Sequence, residues 1–134
     1  YKASDAIKWY LLSFKEHYQK NYDLFNKDNE TYTGAYFGQL YQILKFIDNS
    51  EIEKKQRYVN IFRAQFTKEE LELLFYHCLG KIGKTKFKPL VEKYEFFEHV
   101  IHSSDIDKPL GKYNIKAFGK NKDLIDRYNG ISHS

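Results

Sequence analysis

Thr67-Lys-Glu-Glu-Leu-Glu-Leu-Leu-Phe-Tyr-His-Cys-Leu-Gly80 is the stretch on which the fold turns. A threonine followed three residues later by a glutamate has the spacing of a capping box, in which each side chain takes up a backbone N–H that the helix start leaves unpaired. Behind it, Leu71, Leu74, Phe75, Cys78 and Leu79 recur at steps of 3, 1, 3 and 1, which is one face of a helix. Gly80 is placed to end that helix.

The same period continues on either side. Upstream, Ser50 is positioned to cap a helix running to about Gln65, with Glu51 and Glu53 in its first turn and a core face of Ile52, Tyr58, Val59, Phe62 and Phe66. Before it, Phe37, Leu40, Tyr41, Leu44 and Ile47 predict a helix over about 34–48. Tyr36, Ile43 and Phe46 widen its stripe, so it is expected to be the most buried. Lys27–Thr33 reads as a loop. A first helix is expected from about Ser4, as N-cap, to Asn26, carrying Ile7, Tyr10, Leu11, Phe14, Tyr18 and Phe25.

Downstream, Pro89 suits the first position of a fifth helix, where its missing N–H is no loss, and Leu90, Tyr94, Phe97 and Ile101 form its seam. After Ser103 the pattern weakens. Pro109 and Gly111 interrupt it, Ala117-Phe-Gly119 reads as a docking loop, and only Asp123–Asn129 has helical character. The expected architecture is all-α: a single-domain bundle of about five helices over residues 1–103, with a loosely structured C-terminal extension over 104–134, packed on or trailing from the core.

Composition agrees with this reading. Of 134 residues, 42% are hydrophobic and 30% charged, which is globular and not disordered. Two prolines and seven glycines are too few for a turn-rich β protein. The surplus lies in 12 tyrosines and 11 phenylalanines. The net charge of +4 is spread along the chain and is not by itself an argument for nucleic-acid binding. One cysteine, Cys78, excludes an intramolecular disulfide and fits a reducing compartment. No apolar run in this segment reaches the roughly 18 residues that span a bilayer. The chain begins at Tyr1 and contains no methionine, so a membrane anchor upstream of Tyr1 is compatible with it.

Several local patterns bear on chemistry. Gly80-Lys-Ile-Gly-Lys-Thr85 resembles a phosphate-binding loop, but that loop needs glycine where Cys78 stands, and a preceding strand where a helix is expected. Lys81, Lys84, Lys86 and Lys88 fall within eight residues beside Phe87 and could contact phosphate or RNA; the alternative is a solvated interhelical loop. His99 and His102, with Asp105 near, have helical metal-ligand spacing, yet no second pair accompanies them, and neither a metal nor a cofactor is expected. His77 and Cys78 are adjacent on a helix and so point in different directions, which argues against a thiolate–imidazole pair. Arg127-Tyr-Asn-Gly-Ile-Ser-His133 is the one catalytic pairing left open. Helical ribonucleases of the HEPN type pair an arginine with a histidine a few residues later, the imidazole acting on a ribose 2′-hydroxyl and the guanidinium on phosphate charge. Here Asn129-Gly130 should end a helix between the two.

Three strings carry a family resemblance: Tyr36-Phe-Gly-Gln-Leu-Tyr-Gln-Ile-Leu-Lys-Phe-Ile47; Arg57-Tyr-Val-Asn-Ile-Phe-Arg-Ala-Gln-Phe66 continuing into Glu70-Leu-Glu-Leu-Leu-Phe-Tyr-His77; and Lys86-Phe-Lys-Pro-Leu-Val-Glu-Lys-Tyr94. In this order and spacing the chain resembles the putative phage abortive infection family of bacterial proteins, over about Tyr36 to Val100. The resemblance implies a helical domain of a bacterial defence protein, often preceded in the family by hydrophobic segments, and it brings no assigned catalytic residues. Polar positions inside the shared strings are Arg63, Gln65, Lys86, Lys88 and Glu92.

The expected function is an interaction or sensor module of a phage-defence protein, non-catalytic in isolation. It would sit in the cytoplasm, free or tethered to the inner membrane, and meet a protein partner or a second copy of itself. The alternative is an RNA-directed toxin using Arg127 and His133, helped by the Lys81–Lys88 loop.

Overall fold

The computed structural model describes residues 3–131. Among these, all regular structure is helical, as expected, but there are more helices than five. They are α1 (Ala3–His17), α2 (Tyr22–Asp28), α3 (Glu30–Asn49), α4 (Lys55–Arg63), α5 (Lys68–His77), α6 (Phe87–Lys93), α7 (Asp107–Leu110) and α8 (Lys122–Asn129), with single 3₁₀ turns at Ser104–Ile106 and Ile115–Phe118.

α5 starts as its sequence demands. Thr67 Oγ1 accepts the Glu70 N–H at 3.1 Å, and Glu70 returns the bond to the Thr67 N–H at 3.0 Å. Glu70 also accepts the Tyr36 hydroxyl, which ties α3 to this helix start. From Leu73 to Cys78 every residue is buried, because α1 packs along one side of α5, α2 lies on another, and the C-terminal segment closes a third. α5 is therefore the central helix. The expectation that 34–48 would be the most buried is overturned. α3 buries only Thr33, Phe37 and Leu44, while Ile43 and Phe46 are 43% and 72% exposed. An apolar stripe records the capacity for burial, and only the tertiary arrangement supplies a partner to bury it against.

Other boundaries shift for physical reasons. α1 is described from Ala3, one residue ahead of the Ser4 expected to cap it. The single long first helix is broken at Gln19 and Lys20, both in the left-handed region at φ 50° and 62°. The break swings Tyr22 and Phe25 onto Phe14, with ring centroids at 5.7 and 5.4 Å, and Asn21 caps the new start through the Leu24 N–H. No glycine or proline announced it; burial of two aromatic rings outweighs the strained turn.

The polar run read as a loop over 27–33 is a tight helix junction. Its side chains satisfy one another: Thr33 Oγ1 donates to Asn26 Oδ1 at 2.7 Å, and Asn29 Nδ2 donates to the Phe25 carbonyl at 2.9 Å. Ser50 closes α3 instead of opening α4, donating to the Ile47 carbonyl at 2.6 Å. Pro89 stands third in α6, still inside the first turn. α6 stops at Lys93, so Ile101 lies off the expected seam and is exposed.

Beyond Ser103 the chain is more regular than its pattern suggests. Ile106, Leu110, Tyr113, Ala117, Phe118 and Leu124 join the same core as α1 and α5. The Tyr113 hydroxyl donates to the Phe75 carbonyl at 2.5 Å, and the Phe97 N–H donates to the Ala117 carbonyl at 2.9 Å. α8 covers the helix expected at 123–129.

Candidate functional site

The end of α5 and the turn after it build a cleft. Gly83 lies so close to the His77 carbonyl and the Cys78 Cα that a Cβ there would collide with backbone, so only glycine lets the 80–86 turn fold back over α5. That turn delivers Ile82, Lys86 and Phe87 opposite α3. α3 contributes Phe37 and Tyr41 as walls, and Gly34 and Gly38, four residues apart, as an open floor. Asn26 and Glu30 close the end nearest the α2–α3 junction. The cavity measures about 430 Å³, in the size range of sites that receive a compact ligand or a partner's side chain.

His77 is its most deeply set polar group. The ring stacks on Phe37 with centroids 4.2 Å apart and shares a 2.7 Å hydrogen bond between Nδ1 and the Tyr22 hydroxyl. Burial lowers its pKa from 6.5 to about 4, so the imidazole is neutral at physiological pH. Burial likewise pushes the Tyr22 phenol well above its ordinary value. His77, backed by the Tyr22 hydroxyl, thus presents a neutral polar surface to the cleft and not a charged one. Charge enters at the rim, from Glu30 and Lys86, both exposed.

The lysines of the turn divide between two tasks. Lys81, Lys84 and Lys86 are exposed, and Lys86 borders the cleft. Lys88 turns inward, 3.5 Å from Glu92 and 5.7 Å from the centroid of the Tyr113 ring. Glu92 in turn accepts the Asn114 N–H at 2.6 Å, so this residue of the third string anchors the C-terminal segment.

Arg63 is also inside the fold and not at the cleft. It is 6% exposed; Nη1 donates to the Glu95 carbonyl at 2.8 Å, and Nη2 lies 3.2 Å from His99 Nε2 and 3.6 Å from Glu98. Gln65 is exposed, on the short linker between α4 and α5.

The remaining candidates scatter. His99 faces Arg63, His102 pairs with Asp107 at 2.6 Å, and Asp105 holds Lys15 and Lys20 at 3.4 and 2.9 Å. These three side chains thus face different partners and do not converge. No group of three or more histidine, cysteine, aspartate or glutamate side chains among the described residues could hold a metal ion. Cys78 is fully buried, with its thiol pushed well above its ordinary pKa by burial, while His77 is bonded to Tyr22. Arg127 is exposed and ion-paired to Asp123 at 3.1 Å, and His133 lies outside the described residues.

Sequence reasoning missed the cleft because its parts are far apart in the chain. One signal was available: Gly34 and Gly38 sit on the same face of a helix that they do not break.

A family model described as "putative phage abortive infection protein" matches residues 28–104, more than half of the chain. The matched segment contains every cleft residue named above except Asn26. No curated protein and no solved structure matches the chain. No helix among the described residues is long and apolar enough to cross a membrane.

Proposed function

The chain belongs to the phage abortive infection family, and from that premise we propose that it is the recognition module of a phage-defence protein, with the cleft between α3 and the 80–87 turn as its receiving site. One observation carries this reading. The three strings that mark the family resemblance lie apart in sequence and meet at this cleft: Phe37, Gly38 and Tyr41 from the first, His77 from the second, Lys86 and Phe87 from the third. Its walls are aromatic, its buried histidine is neutral, and its rim carries one exposed lysine, Lys86, and one exposed glutamate, Glu30. That combination suits a protein partner that inserts an apolar side chain and brings a carboxylate to Lys86.

Filling the cleft tests this. A Cβ on Gly34 meets nothing within 4 Å, so the backbone there accepts a side chain, and Gly34→Leu adds apolar volume at the cavity floor. The exchange should also stabilise the helix by about 0.8 kcal/mol. The expected result is an unchanged or higher melting temperature together with a loss of phage protection, as partner affinity falls about tenfold for each ~1.4 kcal/mol of binding removed. Lys86→Glu, which lies off α3, should weaken protection in the same direction. Full protection by both variants, expressed at wild-type level, would overturn the assignment.

A further inference from the structure

Between Glu30 and Lys45, α3 carries no charged residue, although much of it faces solvent. Its outer side presents Ala35, Gly38, Gln39, Gln42, Ile43 and Phe46, all exposed, with Phe46 at 72%. A solvated helix face ordinarily carries charges, and this one instead has small residues in its first half and large ones in its second. Gly38 has no neighbour within 4 Å of where a Cβ would stand, so another helix can approach closely there.

We infer that this face of α3 is the contact surface for a second copy of the chain, the two α3 helices packing antiparallel with their crossing between Gly38 and Gln39. The face is complementary to itself in that arrangement alone. Residues whose numbers sum to 77 then oppose one another, so Gln42 meets Ala35, Ile43 meets Gly34 and Phe46 meets Thr31. Each large side chain faces a small one. The ends match in charge as well: Glu30 of one copy comes within two residues, about 3 Å along the axis, of the level of Lys45 on the other. A parallel pairing would set Phe46 on Phe46 and like charge on like. Both ends are exposed, and the Lys45 ammonium lies beside the Tyr41 ring, 5.9 Å from its centroid. A two-fold symmetric contact of this kind closes on itself and does not propagate into fibres.

This surface adjoins the cleft and shares Glu30, Gly34 and Gly38 with it, whereas Ile43, Lys45 and Phe46 lie outside the cleft, so Phe46→Glu and Lys45→Glu alter the dimer face without altering the cleft lining. A single helix face buries less than the ~800 Å² per partner of a standard interface, so the expected Kd lies in the micromolar range. Sedimentation equilibrium of the 134-residue chain from about 1 to 300 µM covers that range. The wild type should be a monomer–dimer system, and Phe46→Glu should raise Kd by about tenfold or more with an unchanged melting temperature. Glu30→Lys and Lys45→Glu should each weaken the dimer, and the double variant E30K/K45E should restore it. A wild type that stays monomeric throughout, a dimer indifferent to Phe46→Glu, or charge reversals without rescue would each overturn the inference. None of these outcomes bears on the Lys86→Glu test of the cleft.

Discussion

Between pH 6.5 and about pH 4 the protein is expected to lose about 3 kcal/mol of folding stability, most of it through His77. The imidazole is buried against Phe37 and bonded to Tyr22, and burial holds its pKa at about 4 against 6.5 for an exposed histidine. In that interval the unfolded chain binds a proton that the folded chain does not, so stability rises with pH. The contribution is complete above pH 6.5 and is lost as pH falls through 4. Other groups act lower. The Asp48 and Asp105 carboxyls are held below their ordinary value of 3.8, first by hydrogen bonds from Lys93 and Lys20, so what they contribute disappears below that value. Urea unfolding at half-unit pH steps separates the two windows. His77→Gln keeps a hydrogen-bonding group for Tyr22 but cannot titrate, and its stability should be nearly flat from 6.5 to 4.5. An equal slope in wild type and variant would remove His77 from the explanation.

Arg63→Ala should destabilise the fold by about 3 kcal/mol, the range for removing one partner of a buried charged cluster. The loss has an identifiable route. Arg63 holds the carbonyl of Glu95, a residue in the left-handed region at φ 55°, and lies against Glu98. Glu98 accepts the Lys120 N–H at 2.9 Å through its carboxylate and the Asn121 side chain at 2.8 Å through its carbonyl. Gly119, at φ 52°, brings the backbone onto that carboxylate, where a Cβ would collide with it. Arg63 thus fixes a turn, and the turn fixes the C-terminal segment. Arg63→Lys should recover less than half of the loss, because an ammonium cannot reach the carbonyl and the carboxylate in one plane. Limited trypsin cleavage should move first to Lys120 and Lys122 in the alanine variant. A destabilisation below about 1 kcal/mol, or cleavage elsewhere first, would show that the cluster does not have this role.

The two predictions touch residues that sequence reasoning treated differently. Arg63 stands inside a recognised string and reads as a polar residue beside an apolar run; its structural role follows from Glu95 and Glu98, more than thirty residues away. His77 reads as isolated because its neighbour Cys78 is no partner for it. Its actual partners, Tyr22 and Phe37, are 55 and 40 residues upstream. Glu92 and Lys88 bind each other at i,i+4 spacing, which sequence can display, but the third member, the Asn114 backbone, it cannot.

The stretch quoted first, Thr67 to Gly80, marks the limit of what sequence alone determines. Its capping box and its helix follow from local chemistry, since an N-cap bond and an i,i+4 ladder involve residues a few positions apart. The helical class of the whole chain follows in the same way from period and composition. Tertiary structure alone decided that this helix would be central and α3 peripheral, that the first helix would break at Gln19, and that three distant strings would line one cleft. Burial is a relation between segments, and the free energy of hiding an aromatic ring depends on which surface is brought to cover it. For the outer face of α3 no such surface is supplied among the described residues, which leaves that uncharged face open to a second copy.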